Sequence, residues 1–193
     1  PNVPIITTPY ATEIGRKEFK EGDFYSLNYD EKYKISKNIT VEFVEVTHSI
    51  PQTAIVILHT SEGKIVYAAD YKLDNHSNLA KVDYKKLREI GRSGVKLLIV
   101  ESTRVRENGK TPSEKIARSK IKDVFEFVED GLMVGTTFST HIERLQFILE
   151  EIEKTGRMPL IIGTSLLNQI TIAERFDLID MPPNARFYAK EKA

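Results

Sequence analysis

The sequence predicts an α/β protein, mostly β over its first 82 residues and alternating βαβα from residue 83 onward. Two observations carry that reading. Residues 40–69 hold short β-branched runs separated by turn residues, the pattern of antiparallel strands. Beyond residue 83, continuous apolar runs of strand length alternate with stretches whose apolar residues recur at helical spacing, the pattern of a parallel, doubly wound sheet.

In chain order, Val3, Ile5 and Ile6 lie among Pro1, Pro4 and Pro9 and read as a short strand. Residues 10–37 are polar, with Gly22 and several tyrosines, and read as an edge region or hairpin. Thr40–Thr47 is the first clear strand, Val41 and Phe43 alternating with Val44 and Val46. Ala54–Thr60 and Ile65–Ala69 form a hairpin around Ser61-Glu62-Gly63-Lys64, where Gly63 is free to take a positive φ. Tyr84–Arg92 reads as a helix stopped near Gly91 and Gly94, and Val95–Val100 as a strand buried on both faces. Thr111-Pro112-Ser113-Glu114 reads as a cap, a first-turn proline and a capping box. It opens a helix to about Asp130 with Ile116, Ile121, Val124, Phe125 and Val128 inward. Leu132–Phe138 reads as another buried strand. His141–Thr155 is an amphipathic helix with Ser139 or Thr140 as its cap, Leu160–Ile162 a strand, and Ser165–Phe176 a further helix.

The composition narrows the chemistry. The 193 residues are 40% hydrophobic and 29% charged, enough for a real core. There is no cysteine, so disulfides, thiolate metal sites and a cysteine nucleophile are excluded, and any metal must be held by histidine and carboxylate. Lys+Arg 28 balances Asp+Glu 28, which argues against a strongly basic nucleic-acid wrapper. No apolar run approaches the ~18 residues that span a bilayer, and no signal peptide is visible, so the expectation is a cytoplasmic protein with no membrane partner.

Chemistry-bearing side chains follow strand ends, where a rigid mount gives way to an open loop. His48 ends the first strand in Thr47-His48-Ser49-Ile50-Pro51, and an imidazole there is either a zinc ligand or a turn-capping group. Asp70 ends the hairpin, where a carboxylate can bridge two cations or close an Asx turn. Glu101 follows Val95–Val100 at the carboxyl edge of a parallel strand, the place where open α/β sheets bind ligands, and there it either orients a ligand histidine or pairs with a nearby arginine. Ser102 and Thr103 could donate hydrogen bonds to a phosphate or cap the loop. His59, mid-strand, reads as a cross-strand partner and His76 as solvated. Residues 102–122 carry Arg104, Arg106, Lys110, Lys115, Arg118, Lys120 and Lys122 against Glu107 and Glu114, a net +5 in a neutral chain. That run is either a phosphate-backbone contact or a solvated face. No Walker loop, dinucleotide fingerprint, HExxH helix or nucleophile elbow is present.

Taken together, five ordered segments resemble the metallo-β-lactamase nucleases of the β-CASP group, in particular the RNase J-like branch. They are Thr47-His48-Ser49-Ile50-Pro51, Asp70-Tyr71-Lys72-Leu73-Asp74, Glu101-Ser102-Thr103, Thr111-Pro112-Ser113-Glu114, and Thr137-Phe138-Ser139 followed by Arg144-Leu145-Gln146. The resemblance implies part of a metallo-β-lactamase αββα sandwich over residues 1–103, followed by part of a parallel β-CASP α/β domain over 104–193. It implies a zinc-dependent ribonuclease with 5′-to-3′ exonuclease or endonuclease action on RNA. His48 would be a ligand of one of two zinc ions and Asp70 the carboxylate bridging them. Glu101 would be the catalytic acidic residue that opens the insertion, with Ser102 and Thr103 beside it contacting substrate. A hydroxide between the zincs would attack phosphorus.

The sequence departs from that pattern. The HxHxDH motif is absent and would precede Pro1, and the later histidines with the Gly-Ser-Gln-Gly-Glu stretch would follow Ala193. Glu143 stands where the family's Thr-Phe-Ala-Ser-Asn-Ile-His-Arg has its histidine, and His141 falls two residues earlier. The chain, beginning Pro1-Asn2-Val3, therefore reads as an internal fragment, inactive alone. The expected partners are RNA, the remaining segments of its own parent chain, and a second copy in a homodimer. The alternatives are a non-catalytic RNA-binding or scaffold fragment and another metallo-β-lactamase hydrolase. Half of a sandwich would also leave an apolar sheet face uncovered.

Overall fold

The computed structural model describes residues 3–19 and 21–188. The chain is mixed α/β and divides into two compact units. The first comprises Pro1–His48, Gln52–Asn75 and Ala80–Thr111; the second comprises Ser49–Pro51, His76–Leu79 and Pro112–Ala193.

In the first unit, β1 (Ile5–Thr7) lies parallel to β2 (Phe24–Ser26), with α1 (Pro9–Glu18) between them. A five-stranded sheet follows in the order β3 (Lys32–Lys34), β4 (Thr40–Glu45), β5 (Ala54–Thr60), β6 (Gly63–Ala68) and β7 (Val95–Val100). Strands β3 to β6 form an antiparallel meander, and β7 runs parallel to β6 after the crossover helix α2 (Tyr84–Arg92). The β5–β6 turn closes as its residues dictate. Gly63 takes φ 121°, and the Thr60 hydroxyl donates to the Gly63 carbonyl at 2.7 Å. Asp83 caps α2 by accepting from the Lys86 N–H at 2.9 Å.

Alternation along the strands produces two apolar layers. Val44, Ile55, Ile57, Val66 and Ala68 share one face and pack with Val46 and with Ile90 of α2. Val41 and Phe43 face the other way, against Leu27. Each of these valine, leucine, isoleucine and phenylalanine side chains contributes about 1.5–3 kcal/mol through burial. On the α2 side the sheet also buries a charge. Glu42 accepts from His59 at 2.6 Å and pairs with Lys86 and, at 3.6 Å, with Lys32. His59 is thus the cross-strand partner that its position suggested.

Two expectations for this unit are corrected. Residues 9–18 form a helix, not an edge region or hairpin. Thr8 and Pro9 open it at the N-cap and first turn, and it buries only Tyr10 and Thr12, too sparse a stripe for apolar periodicity to reveal. And β7, read as buried on both faces, is exposed at every residue, because it is the sheet's edge strand and pairs only with β6.

In the second unit, α3 (Glu114–Phe127), α4 (Ile142–Lys154) and α5 (Thr164–Arg175) accompany a parallel pair, β8 (Leu160–Ile162) and β9 (Arg186–Tyr188). Ile142, Leu145 and Leu149 form the buried stripe of α4, and Ile170, Ile172 and Ala173 that of α5. The expected doubly wound sheet is reduced to this pair among the described residues. Leu132–Phe138 forms no strand; with no neighbour to pair with, Leu132 is 91% exposed. Ser113, not Thr111, stands at the N-cap of α3. Glu114 is thereby the first helical residue, and it accepts from Arg144 at 2.9 and 3.0 Å. Ile116 and Val124 of α3 are exposed, contrary to the inward stripe expected. His141 itself occupies the N-cap of α4, in place of Ser139 or Thr140.

Candidate functional site

Strands β4, β6 and β7 run in the same direction, so their carboxyl ends lie along one edge of the sheet. His48, Asp70 and Glu101 follow those three ends. The Glu101 N–H donates to the Ala68 carbonyl at 3.1 Å, which carries the parallel pairing one step past β7 and sets Glu101 beside the Asp70 loop. Thr47 and Lys72 form an antiparallel bridge, with the Lys72 N–H donating to the Thr47 carbonyl at 2.6 Å. That bridge draws together the chain just before His48 and the chain just after Asp70. His48, Asp70, Glu101, Ser102 and Thr103 are all exposed, as an accessible edge requires.

The loops behind these side chains are tied down. The Thr47 hydroxyl donates to the Lys72 carbonyl and accepts from the Asp74 N–H at 3.1 Å. Asp74 is buried and pairs with Lys72 at 3.2 Å. Past His48, Gln52 adopts φ 58° and its side-chain oxygen accepts from the Tyr10 N–H at 2.7 Å. A left-handed backbone at a non-glycine residue is held only by its surroundings, and here it lies four residues after the candidate imidazole.

The electrostatics single out Glu101. Its carboxylate accepts from the side chain of Thr103 and from the Thr103 N–H at 2.7 Å, and these bonds hold it below the usual carboxylate range. The nearby His48 imidazole acts in the same direction, which places the two groups in one electrostatic neighbourhood. Among the described residues, no group of three or more histidine or carboxylate side chains is arranged to hold a metal ion.

Sequence reasoning passed over Asp74 as an anchor. The local signal was the spacing Lys72-Leu73-Asp74, which lets the two charges pair across one residue. It also passed over the work done by Glu143, the residue in the family's histidine position. Glu143 is buried, accepts from the Ser77 hydroxyl at 2.6 Å and the Asn78 N–H at 2.8 Å, and pairs with Arg118. His76 is exposed.

Fold and edge together define a mixed α/β chain that gathers one imidazole and two carboxylates at the carboxyl ends of three co-directional strands. The chain is Ribonuclease J-like over nearly all of its length. It is 46% identical over 191 residues to Ribonuclease J of Pyrococcus abyssi, covering 94% of this chain and 42% of that protein. It is 39% identical over 198 residues to Ribonuclease J of Methanocaldococcus jannaschii, covering 97% and 44%. It is 33% identical over 165 residues to Ribonuclease J 2 of Staphylococcus epidermidis, covering 84% and 29%. The chain thus spans less than half the length of these curated relatives. No family model matches it. In fold it is similar to a protein of unknown function from Enterococcus faecalis V583, with a TM-score of 0.68 at 19% identity over 100% of this chain and 47% of that one. No helix among the described residues is long and apolar enough to cross a membrane.

Proposed function

We propose that this chain is part of a cytoplasmic, metal-dependent ribonuclease that hydrolyses RNA phosphodiester bonds by 5′-to-3′ exonuclease action, endonuclease action, or both. In this reading residues 1–103 belong to a metallo-β-lactamase domain and residues 104–193 to an inserted β-CASP domain. The observation that carries it is the shared sheet edge of His48, Asp70 and Glu101 in a chain 46% identical to a Ribonuclease J.

The donor set is short of a metal site. A catalytic zinc takes three protein ligands and keeps one position open. This chain offers His48 and Asp70, and no third donor joins them among the described residues. Other segments of a longer chain would complete a two-zinc centre, with His48 on one ion and Asp70 between the two. This chain's own residues then have separate tasks. Thr103 spends its hydroxyl and N–H on Glu101, which fixes that carboxylate and lowers its pKa. Glu101, in the same electrostatic neighbourhood, would in turn help to orient the imidazole. The exposed Ser102 hydroxyl is left to donate to a substrate phosphate. The Thr47–Lys72–Asp74 anchor keeps the two donor loops from drifting.

The test uses a longer protein containing this chain together with its complementing segments. His48→Ala and Asp70→Ala should each lower bound zinc, measured by elemental analysis, and cut RNA hydrolysis by roughly a hundredfold or more. The 193-residue chain alone should not hydrolyse RNA. Hydrolysis by that chain in the presence of EDTA, or full zinc occupancy and activity in both variants, would overturn the proposal.

A further inference from the structure

The cation run after Glu101 sorts itself once ion pairs are known. Lys120 pairs with Asp123 at 2.9 Å, Lys122 with Glu126 at 3.3 Å, and Arg118 with the buried Glu143. Arg104 is clasped by Glu107, which accepts from its Nε at 2.7 Å and from its terminal nitrogen. Of the seven, Lys115 in the first turn of α3 and two cations in the loop 102–111 are left over among the described residues. Arg106 and Lys110 are exposed and make no ion pair among the described residues. The loop has no helix or strand of its own. It begins in a turn, with the Val105 N–H donating to the Ser102 carbonyl at 3.1 Å and the Glu107 N–H to the Arg104 carbonyl at 3.0 Å. Gly109, at φ 112°, redirects the backbone just before Lys110.

From this we infer that the loop 102–111 grips the RNA backbone next to the His48–Asp70–Glu101 edge, with Arg106 and Lys110 each contacting a phosphate. The inference rests on the ribonuclease reading and deepens it. Three features argue for a polyphosphate strand. The loop starts at Glu101, so a strand held by it is delivered to that edge. The Arg104–Glu107 clasp consumes the one acid in the loop and shapes the turn, leaving both remaining cations uncompensated. And an exposed loop without helix or strand can follow a flexible single strand, whereas a surface stripe that merely keeps a protein soluble needs no such local imbalance.

The experiment measures binding of a fluorescein-labelled oligouridylate across a salt titration, using the longer protein. It compares the wild type with Arg106→Ala, Lys110→Ala and the double variant. Each lost phosphate contact should lower the slope of log affinity against log salt by about 0.7, and the pair by about 1.4. In parallel, hydrolysis of a small aryl phosphodiester, too short to reach the loop, should be unchanged in the variants, while KM for RNA rises. Unchanged salt slope and KM for RNA in a double variant that still cleaves RNA would overturn the inference and leave the ribonuclease reading standing. A wild type that neither binds nor cleaves RNA would overturn both. Equal competition by polyglutamate, which carries charge but no phosphate, would assign the loop to an acidic protein partner and also overturn it. Folding of the variants is checked by their melting curves, since both side chains lie in solvent.

Discussion

Strands β4 and β7 are six residues each and belong to one sheet, yet their environments are opposite. Thr40-Val41-Glu42-Phe43-Val44-Glu45 includes two acids and buries four residues. Val95-Lys96-Leu97-Leu98-Ile99-Val100 is almost wholly apolar and buries none. The difference lies in position. β4 is flanked by β3 and β5 and covered on both faces, whereas β7 is an edge strand whose outer layer is missing among the described residues. A strand's sequence records what it would bury; only its neighbours decide whether it does.

The largest effect expected from this contrast is in side-chain truncation. Ile57, fully buried next to β4, should lose about 4 kcal/mol on mutation to alanine, read from urea unfolding. Leu98 pairs in register with Val66 but is 58% exposed, and Leu98→Ala should cost less than about 1 kcal/mol. Equal losses would show that β7 is covered in solution.

Next in size is the buried charge of β4. Glu42 is 2% exposed, and burial by itself disfavours its ionised form. Hydrogen bonds from Lys86 and His59, with the field of Lys32, outweigh that and hold its pKa below the usual carboxylate value. Glu42→Gln leaves those cations around a neutral amide and should cost about 3 kcal/mol. The pH dependence has a definite sign. The unfolded glutamate titrates near about 4.3, above the folded value, so between the two the unfolded chain binds more protons. The contribution of Glu42 is complete above the unfolded pKa and is lost as pH falls through the folded one. Stability measured against pH should therefore fall less steeply on the acid side in Glu42→Gln than in the wild type.

The same contrast explains what was legible beforehand. The bounds of β5, α2, β7 and β8 follow from local pattern, because strand and helix periodicity are properties of neighbouring residues. That His48, Asp70 and Glu101 each follow a strand was legible too; that those three strands share a direction is set by the sheet order. Burial was not legible where it depends on distant chain. β7 has one neighbouring strand and 132–138 forms no strand among the described residues, although the local pattern of both is apolar. The anchoring roles of Glu42, Asp74 and Glu143 depend on partners that only the fold brings near, and α1 buries too few residues to announce itself.

A smaller effect separates the two sides of β6. Gly63 opens the strand at φ 121°, a conformation that L side chains rarely adopt, and an added Cβ would lie 3.3 Å from the Lys96 Cβ on β7. Gly63→Ala should lower stability by about 1–2 kcal/mol, seen as a lower Tm. A neutral result would mean that β7 yields at that point, as a strand held from one side only can do.

The smallest stability effect is expected at Leu97, and it is the most informative about the open layer. Leu97 pairs with Ile65 and is 49% exposed; Ile99, two residues on, pairs with Tyr67 and is 44% exposed. Together with the unpaired backbone of the edge, this is a surface that favours strand-to-strand association. Leu97→Lys leaves a side chain that is already half exposed, so its unfolding free energy should stay within about 0.5 kcal/mol of the wild type. Its sedimentation should nevertheless shift toward the monomer, because a charge on that face must be desolvated for two copies to meet. A wild type that is already monomeric and melts cooperatively would show that β7 tolerates solvent as it stands, and the comparison with β4 would then concern packing alone.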